Sequence, residues 1–268
     1  MKPLALAWMF LGVAFLLASP ALAASCSPLQ RVASLEMTPL AGGARETVPL
    51  GVNGSILHVL LDTEGGSSSL TAAAGKMLGL RARGAAGRLL DANGNASRSY
   101  FLIDSVNLGG LRSRNYALMV TPTADGRFDG VLAADLLSHF DVEMDFAAHR
   151  LALYSQDHCP GQVVYWTTPS VAVAQISVRS RADDKVGFAQ AGGLNAVIHP
   201  NSNDNLGMSY VNGGKDTQSM ASVTGSDIRM TVTLDGKDFT ANIDTGLEVS
   251  TLNTDAARAA FGVTADSP

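Results

Sequence analysis

Apolar residues along this chain come in short runs separated by turn dipeptides, a spacing that predicts strands rather than long helices. In TVPLGVNGSILHVLLD, residues 47–62, short β-branched and apolar runs flank Asn53-Gly54, a strong signal for a two-residue hairpin turn. TAAAGKMLGL predicts a short helix ending near Gly79. Residues 87–110 predict a second hairpin, with its turn at Asn93-Gly94 and with Tyr100 and Leu102 on alternating positions. NYALMV predicts a further strand, DGVLAADLLSHF a strand entering a short helix, and DVEMDFAAHRLALYS a closing hairpin. The fold class this predicts is mainly β with brief helices.

From about Ser170 to Asp227 the composition turns to Asn, Ser, Gly and Asp. HPNSNDNLGMSYVNGGKDTQSM within it predicts a long loop, and VAVAQISV before it one strand joining two halves. The pattern then repeats. Gly54 lies eight residues before Asp62, and Gly236 eight before Asp244; Leu70 and Leu252 each lie eight residues after the aspartate. Both stretches run hairpin, apolar strand, Asp-Thr, Ser-containing turn, Leu, helix, Gly. Internal duplication is the simplest account of so many coincident marks. Asp followed by Gly and Ser is ordinary turn composition when it occurs once. Occurring twice in the same setting, Asp62 and Asp244 are candidate functional residues.

Composition narrows the classes. The chain has 268 residues, 46% hydrophobic and 16% charged, enough for a real core and too apolar for a disordered chain. A net charge of -5 without a basic cluster argues against nucleic acid or anionic membrane surfaces as partners. Lys2, the apolar stretch from Pro3 to Leu17 and Ala21-Leu22-Ala23 predict a signal peptide over 1–23, cleaved near Ala23, and hence export to the periplasm or beyond. No membrane association is expected beyond that signal. Cys26 and Cys159 are the two cysteines, and in an oxidising compartment an even pair predicts one disulfide. Neither has the spacing of a metal site, and no metal or cofactor is expected. HExxH, GxSxG and a phosphate-binding glycine loop are all missing from the sequence. Ser67, Ser68 and Ser69 have no identifiable histidine partner, and the five histidines are scattered.

Asp62-Thr63 and Asp244-Thr245-Gly246, each after an apolar strand, together with DGVLAADLLSHFDVEMDFAAHRLALY, resemble the bacterial two-lobed retropepsin-like aspartic peptidases. The likeness spans 46–268 apart from the Asn- and Ser-rich middle. It implies duplicated β-barrel lobes and a dyad of Asp62 and Asp244. In such a dyad two close carboxyls share a proton, so one activates water while the other polarises the scissile carbonyl. It further implies that Thr63, Thr245 and Gly246 support the catalytic loops, that Asn93-Gly94 tips a substrate-covering flap, and that the partner is a polypeptide substrate.

Three departures from that family pattern stand out. Glu64 occupies the place of a glycine, adding bulk and a second negative charge that either faces the dyad or turns to solvent. Ala133 stands where the lobes carry a glycine after two apolar residues, which predicts overpacking worth about 1 to 3 kcal/mol. Only 24 residues follow Asp244, against 92 from Asp62 to Tyr154, so the second lobe is expected to be incomplete, with exposed sheet edges and an unfilled core. The expected organisation is signal peptide 1–23, N-terminal lead 24–45, first lobe 46–159, linker 160–227 and start of a second lobe 228–268. The leading expectation is an aspartic-type endopeptidase or a fragment of one. The alternatives are an impaired peptide-binding module on the same fold and a peptidase assembled from two copies of the first lobe.

Overall fold

The computed structural model describes residues 27–65, 67–90, 96–122, 126–159, 161, 171–180, 196–201, 205–210, 226–264 and 267. The expected signal peptide, Cys26 and the Asn93-Gly94 turn lie outside the described residues. Among the described residues no helix is long and apolar enough to cross a membrane.

The first part of the chain is built from β1 (Arg31–Glu36), β2 (Thr38–Pro39), β3 (Glu46–Val52), β4 (Ser55–Asp62), β5 (Ser69–Thr71), α1 (Ala72–Met77), β6 (Ala82–Leu90) and β7 (Ala96–Leu108). It continues through β8 (Leu111–Thr121), β9 (Gly130–Ala133), α2 (Ala134–Leu137), β10 (Asp141–Asp145) and β11 (Arg150–Tyr154). Asn53 (φ 50°) and Gly54 (φ 86°) take the two left-handed positions that let β3 return as β4, as the dipeptide predicts. β3 pairs with β4, β4 with β9, β9 with β5, β5 with β8, β8 with β7, and β7 returns to β3. That ring leaves no open edge, so it is a six-stranded barrel. Val48, Leu50, Val52, Leu57, Val59 and Leu61 alternate inward along β3 and β4, meeting Leu70, Ile103, Leu118 and Leu132 in one core.

Thr71 starts α1 by accepting a bond from Ala74 N at 3.0 Å, and Gly79 (φ 67°) follows its end, close to the predicted boundaries. β10 and β11 form the predicted closing hairpin. β11 also pairs with β1, and Leu35, Leu151 and Leu153 join the barrel core. β6 and β7 form the second predicted hairpin, with Leu90 opposite Ala96 as its last pair.

β12 (Ile176–Ser180), β13 (Ala196–Asn201), β14 (Asn205–Tyr210), β15 (Ser226–Leu234), β16 (Lys237–Asn242) and α3 (Thr254–Phe261) follow. Two sequence expectations are corrected here. The stretch read as a long loop contains the antiparallel pair β13–β14, in which apolar positions such as Ile198 and Met208 stand opposite each other. VAVAQISV is a strand only from Ile176, and β12 belongs to the second sheet, β12-β15-β16, rather than bridging to the barrel. In and around that sheet Leu234, Leu247, Val249, Leu252 and Val263 are exposed, and α3 buries none of its residues.

Candidate active site

β4 ends on Asp62, and its parallel neighbour β9 ends opposite on Ala133. The chain then folds back so that Asp62 Oδ1 accepts bonds from Glu64 N (3.0 Å) and Gly65 N (2.7 Å). The same turn occurs after β16, where Asp244 Oδ1 accepts from Gly246 N at 2.7 Å. A main-chain N–H supplies this bond, so Glu64 serves as donor as well as a glycine does.

The two Asp-Thr turns are locked by a reciprocal network. Thr63 N donates to Thr245 Oγ1 and Thr245 N donates to Thr63 Oγ1, each at 3.2 Å. The hydroxyls then donate onward across the junction, Thr63 Oγ1 to Ile243 O (2.5 Å) and Thr245 Oγ1 to Leu61 O (2.8 Å). Each threonine thus satisfies backbone groups of the other strand end, which orients both aspartates toward one point. The structure brings Asp62, Thr63, Asp244, Thr245 and Gly246 together.

At that point the carboxyls of Asp62 and Asp244 lie near enough for each to affect the other's ionisation. Gly246 is required by the approach: a Cβ there would lie 2.7 Å from Asp62 Cγ. Burial holds the Asp62 carboxyl above its ordinary range against the two backbone N–H bonds, and the Glu64 charge adds to the rise. Burial likewise raises Asp244, followed by the Asp62 charge beside it.

Both departures in the first Asp-Thr region have a structural explanation. Glu64 reaches across to the second Asp-Thr region: its Oε1 accepts from Asn242 Nδ2 at 2.6 Å. Ala133 is fully buried, and its methyl occupies space left by Gly65, where a Cβ would stand only 3.0 Å from Ala133 Cβ. The predicted overpacking is therefore relieved by the glycine that follows Glu64.

Sequence reasoning missed Asp135. Its carboxylate accepts from Ser68 Oγ (2.6 Å), Ser68 N (3.0 Å) and Ser67 Oγ (3.1 Å), while Ser68 Oγ accepts from Ala133 N (3.0 Å). Ser67 and Ser68 thus tie the loop after Asp62 to α2. An acidic residue in the first turn of a helix, directly after β9, was the available signal. The histidines with side-chain bonds make structural pairs, His149 with Glu46 (3.0 Å) and His158 with Asp141 (2.5 Å). A cavity of about 520 Å³ opens beside Asp244, Thr245 and Leu247, with Pro39, Glu46 and Phe146 across from them. Among the described residues no cluster of His, Cys, Asp and Glu could hold a metal ion.

Cys26 being outside the described residues, the expected disulfide is approached only from its other end. Ser27 bridges to His158, and Cys159 N donates to Ser27 O at 2.9 Å.

Residues 48–136 match a family model described as aspartyl protease. None of the curated proteins matches the chain. Among solved structures, the chain is similar to a retropepsin-like aspartic protease from Rickettsia conorii. The identity is 19%, the match covers 49% of this chain and 96% of that one, and the TM-score is 0.35.

Proposed function

We propose, for a chain whose residues 48–136 match a family model described as aspartyl protease, that it is an aspartic-type endopeptidase with Asp62 and Asp244 as its catalytic pair. The observation that carries this is the reciprocal threonine network, which joins the two Asp-Thr turns that bear the aspartates. Two carboxyls so close do not both ionise easily, and the pair holds one proton between them. The ionised member takes a proton from water as it attacks the peptide carbonyl. The protonated member donates to the carbonyl oxygen and stabilises the tetrahedral intermediate. The cavity beside Asp244 gives an extended polypeptide room next to the pair. The same reading takes 46–159 as one lobe and 228–268 as belonging to a second, and makes the mature chain an exported one.

The experiment is cleavage of an unfolded polypeptide at acid pH by wild-type protein, Asp62→Asn and Asp244→Asn. Loss of at least about a thousandfold in both variants is expected, since neither amide can exchange the proton. Cleavage that persists in both removes the assignment. A second reading, a peptide-binding module without turnover, draws on Glu64, an extra carboxyl at the junction that is bonded to Asn242. Saturable peptide binding with no cleavage at any pH would favour it.

A further inference from the structure

The cavity beside Asp244 is walled by three turns, and a buried carboxyl among them is only half satisfied. One wall is the loop between β2 and β3, closed by Leu40 N donating to Arg45 O at 2.8 Å and flanked by the paired residues Pro39 and Glu46. The second is the turn between β10 and β11, with Phe146 and His149. Met37 N ties that turn to the chain before β2 by donating to His149 O at 2.7 Å. The third wall is the second Asp-Thr turn, with Asp244 and Leu247. Glu46 is only 6% exposed. Its Oε1 is held by His149 Nδ1 at 3.0 Å, while its Oε2 is buried with no hydrogen-bond partner among the described residues. A hidden carboxyl oxygen without a donor is unfavourable, and pairing with His149 alone does not require it.

We propose that this cavity is a specificity pocket for a lysine side chain of the polypeptide substrate, and that Glu46 is the residue that selects it. The inference rests on the peptidase reading above, since the substrate it describes is the one cut at Asp62 and Asp244. Charge gives the sign. Among the described residues the lining holds two carboxyls, Glu46 and Asp244, against one imidazole, His149, and neither a lysine nor an arginine. Arg45, next to Glu46 in the chain, is engaged by Glu248 at 3.2 Å. Shape gives the length. Pro39, Phe146 and Leu247 offer apolar surface to an aliphatic stem, and Phe146 and Leu247 are 47% and 48% exposed. The count of free oxygens favours an ammonium over a guanidinium. With Oε1 on His149 a single oxygen remains, which suits a compact point donor better than a planar fork. His149 fixes the carboxyl, so the pocket is preformed and not gathered around its ligand.

The test is a set of peptides with lysine, norleucine or glutamate placed in turn at each position near the cut bond. They are assayed with wild-type protein and Glu46→Gln at about pH 5, above the ordinary glutamate range. At one position wild-type protein is expected to favour lysine over norleucine by at least about tenfold in kcat/KM, with glutamate the poorest. Glutamine keeps an oxygen for His149 and loses both the charge and the spare acceptor, so the lysine preference is expected to vanish while the norleucine peptide is still cut. The ratio compares two peptides in one preparation, so it does not depend on how much of the variant folds, and a role confined to structure lowers both rates alike. Trimethyllysine keeps the charge without an N–H donor, and wild-type protein is expected to lose most of its preference for it, a check that needs no variant. No lysine preference at any position, or one that survives in Glu46→Gln or with trimethyllysine, overturns the inference and leaves the peptidase reading standing. If wild-type protein shows no Asp62-dependent cleavage, the peptidase reading falls and equilibrium binding of the same peptides decides on the pocket. Tighter binding of a lysine peptide that is lost in Glu46→Gln supports it, and equal binding overturns it.

Discussion

Gly65 and Ala133 act as one contact in which the residue without a side chain makes room for the one with a methyl. The alanine methyl is buried under the Asp62 turn, and it fits because the facing residue has no side chain. Gly65→Ala puts a Cβ 3.0 Å from Ala133 Cβ and 3.2 Å from Asp62 Cγ, with strain expected to cost about 1 to 3 kcal/mol in urea unfolding. Ala133→Gly in the same protein should recover part of that loss, and strictly additive effects in the double-mutant cycle would refute the coupling. Gly246 is the more severe case, since its Cβ would meet the Asp62 carboxyl carbon at 2.7 Å. Gly246→Ala is expected to lower kcat by at least about a hundredfold with little change in overall fold, because the displaced group is Asp62. At this scale Asp62, Asp244 and the threonines were legible in the sequence, since a repeated motif carries its own spacing. The direction of Glu64 was not, because it is set by Asn242, which no local pattern connects to it.

Elements were legible where local chemistry dictates the turn. Asn53-Gly54 supplies both left-handed residues of the β3–β4 hairpin, and Thr71 with Gly79 brackets α1. The β13–β14 pairing was not legible, because a stretch rich in Asn, Ser and Gly has the composition of a loop whether or not its ends pair. Nor was the membership of β12 in the second sheet, which depends on a partner about fifty residues on. The N-terminal clasp yields a prediction at this scale. β1 pairs along β11, Ser155 N reaches Gln30 O at 2.9 Å, and Cys159 N reaches Ser27 O at 2.9 Å, so the backbone next to position 26 already lies beside position 159. Peptide mapping of the protein prepared under oxidising conditions without reductant is expected to find Cys26 joined to Cys159. Reduction should then lower stability by about 2 to 5 kcal/mol, the usual effect of opening a long covalent loop. Recovery of both cysteines as free thiols from the oxidised protein would contradict it.

For the whole molecule, the barrel and the second sheet meet where the two Asp-Thr turns bind each other, so the junction that holds them together is also where burial and charge oppose ionisation. Closing this junction removes Asp62 and Asp244 from water, and their carboxyls sit above the ordinary carboxylate value of 3.8 in the folded chain. A raised carboxyl pKa means that the folded state binds protons more tightly than the unfolded state. Stability therefore falls as pH rises from the unfolded value through the folded one, and above the folded value the deficit is constant. Below the unfolded value both states are protonated and the deficit is gone. An asparagine at position 62 keeps an oxygen to accept the N–H bonds of Glu64 and Gly65, and it carries no charge to bury. Asp62→Asn is therefore expected to melt at a higher temperature than wild-type protein at about pH 7, with the difference shrinking as pH is lowered toward about 3.5. The comparison cancels the titration of every carboxyl remote from the junction. A melting difference that stays constant with pH, or that favours the wild type near neutrality, would show that the junction does not store the cost of ionising the pair.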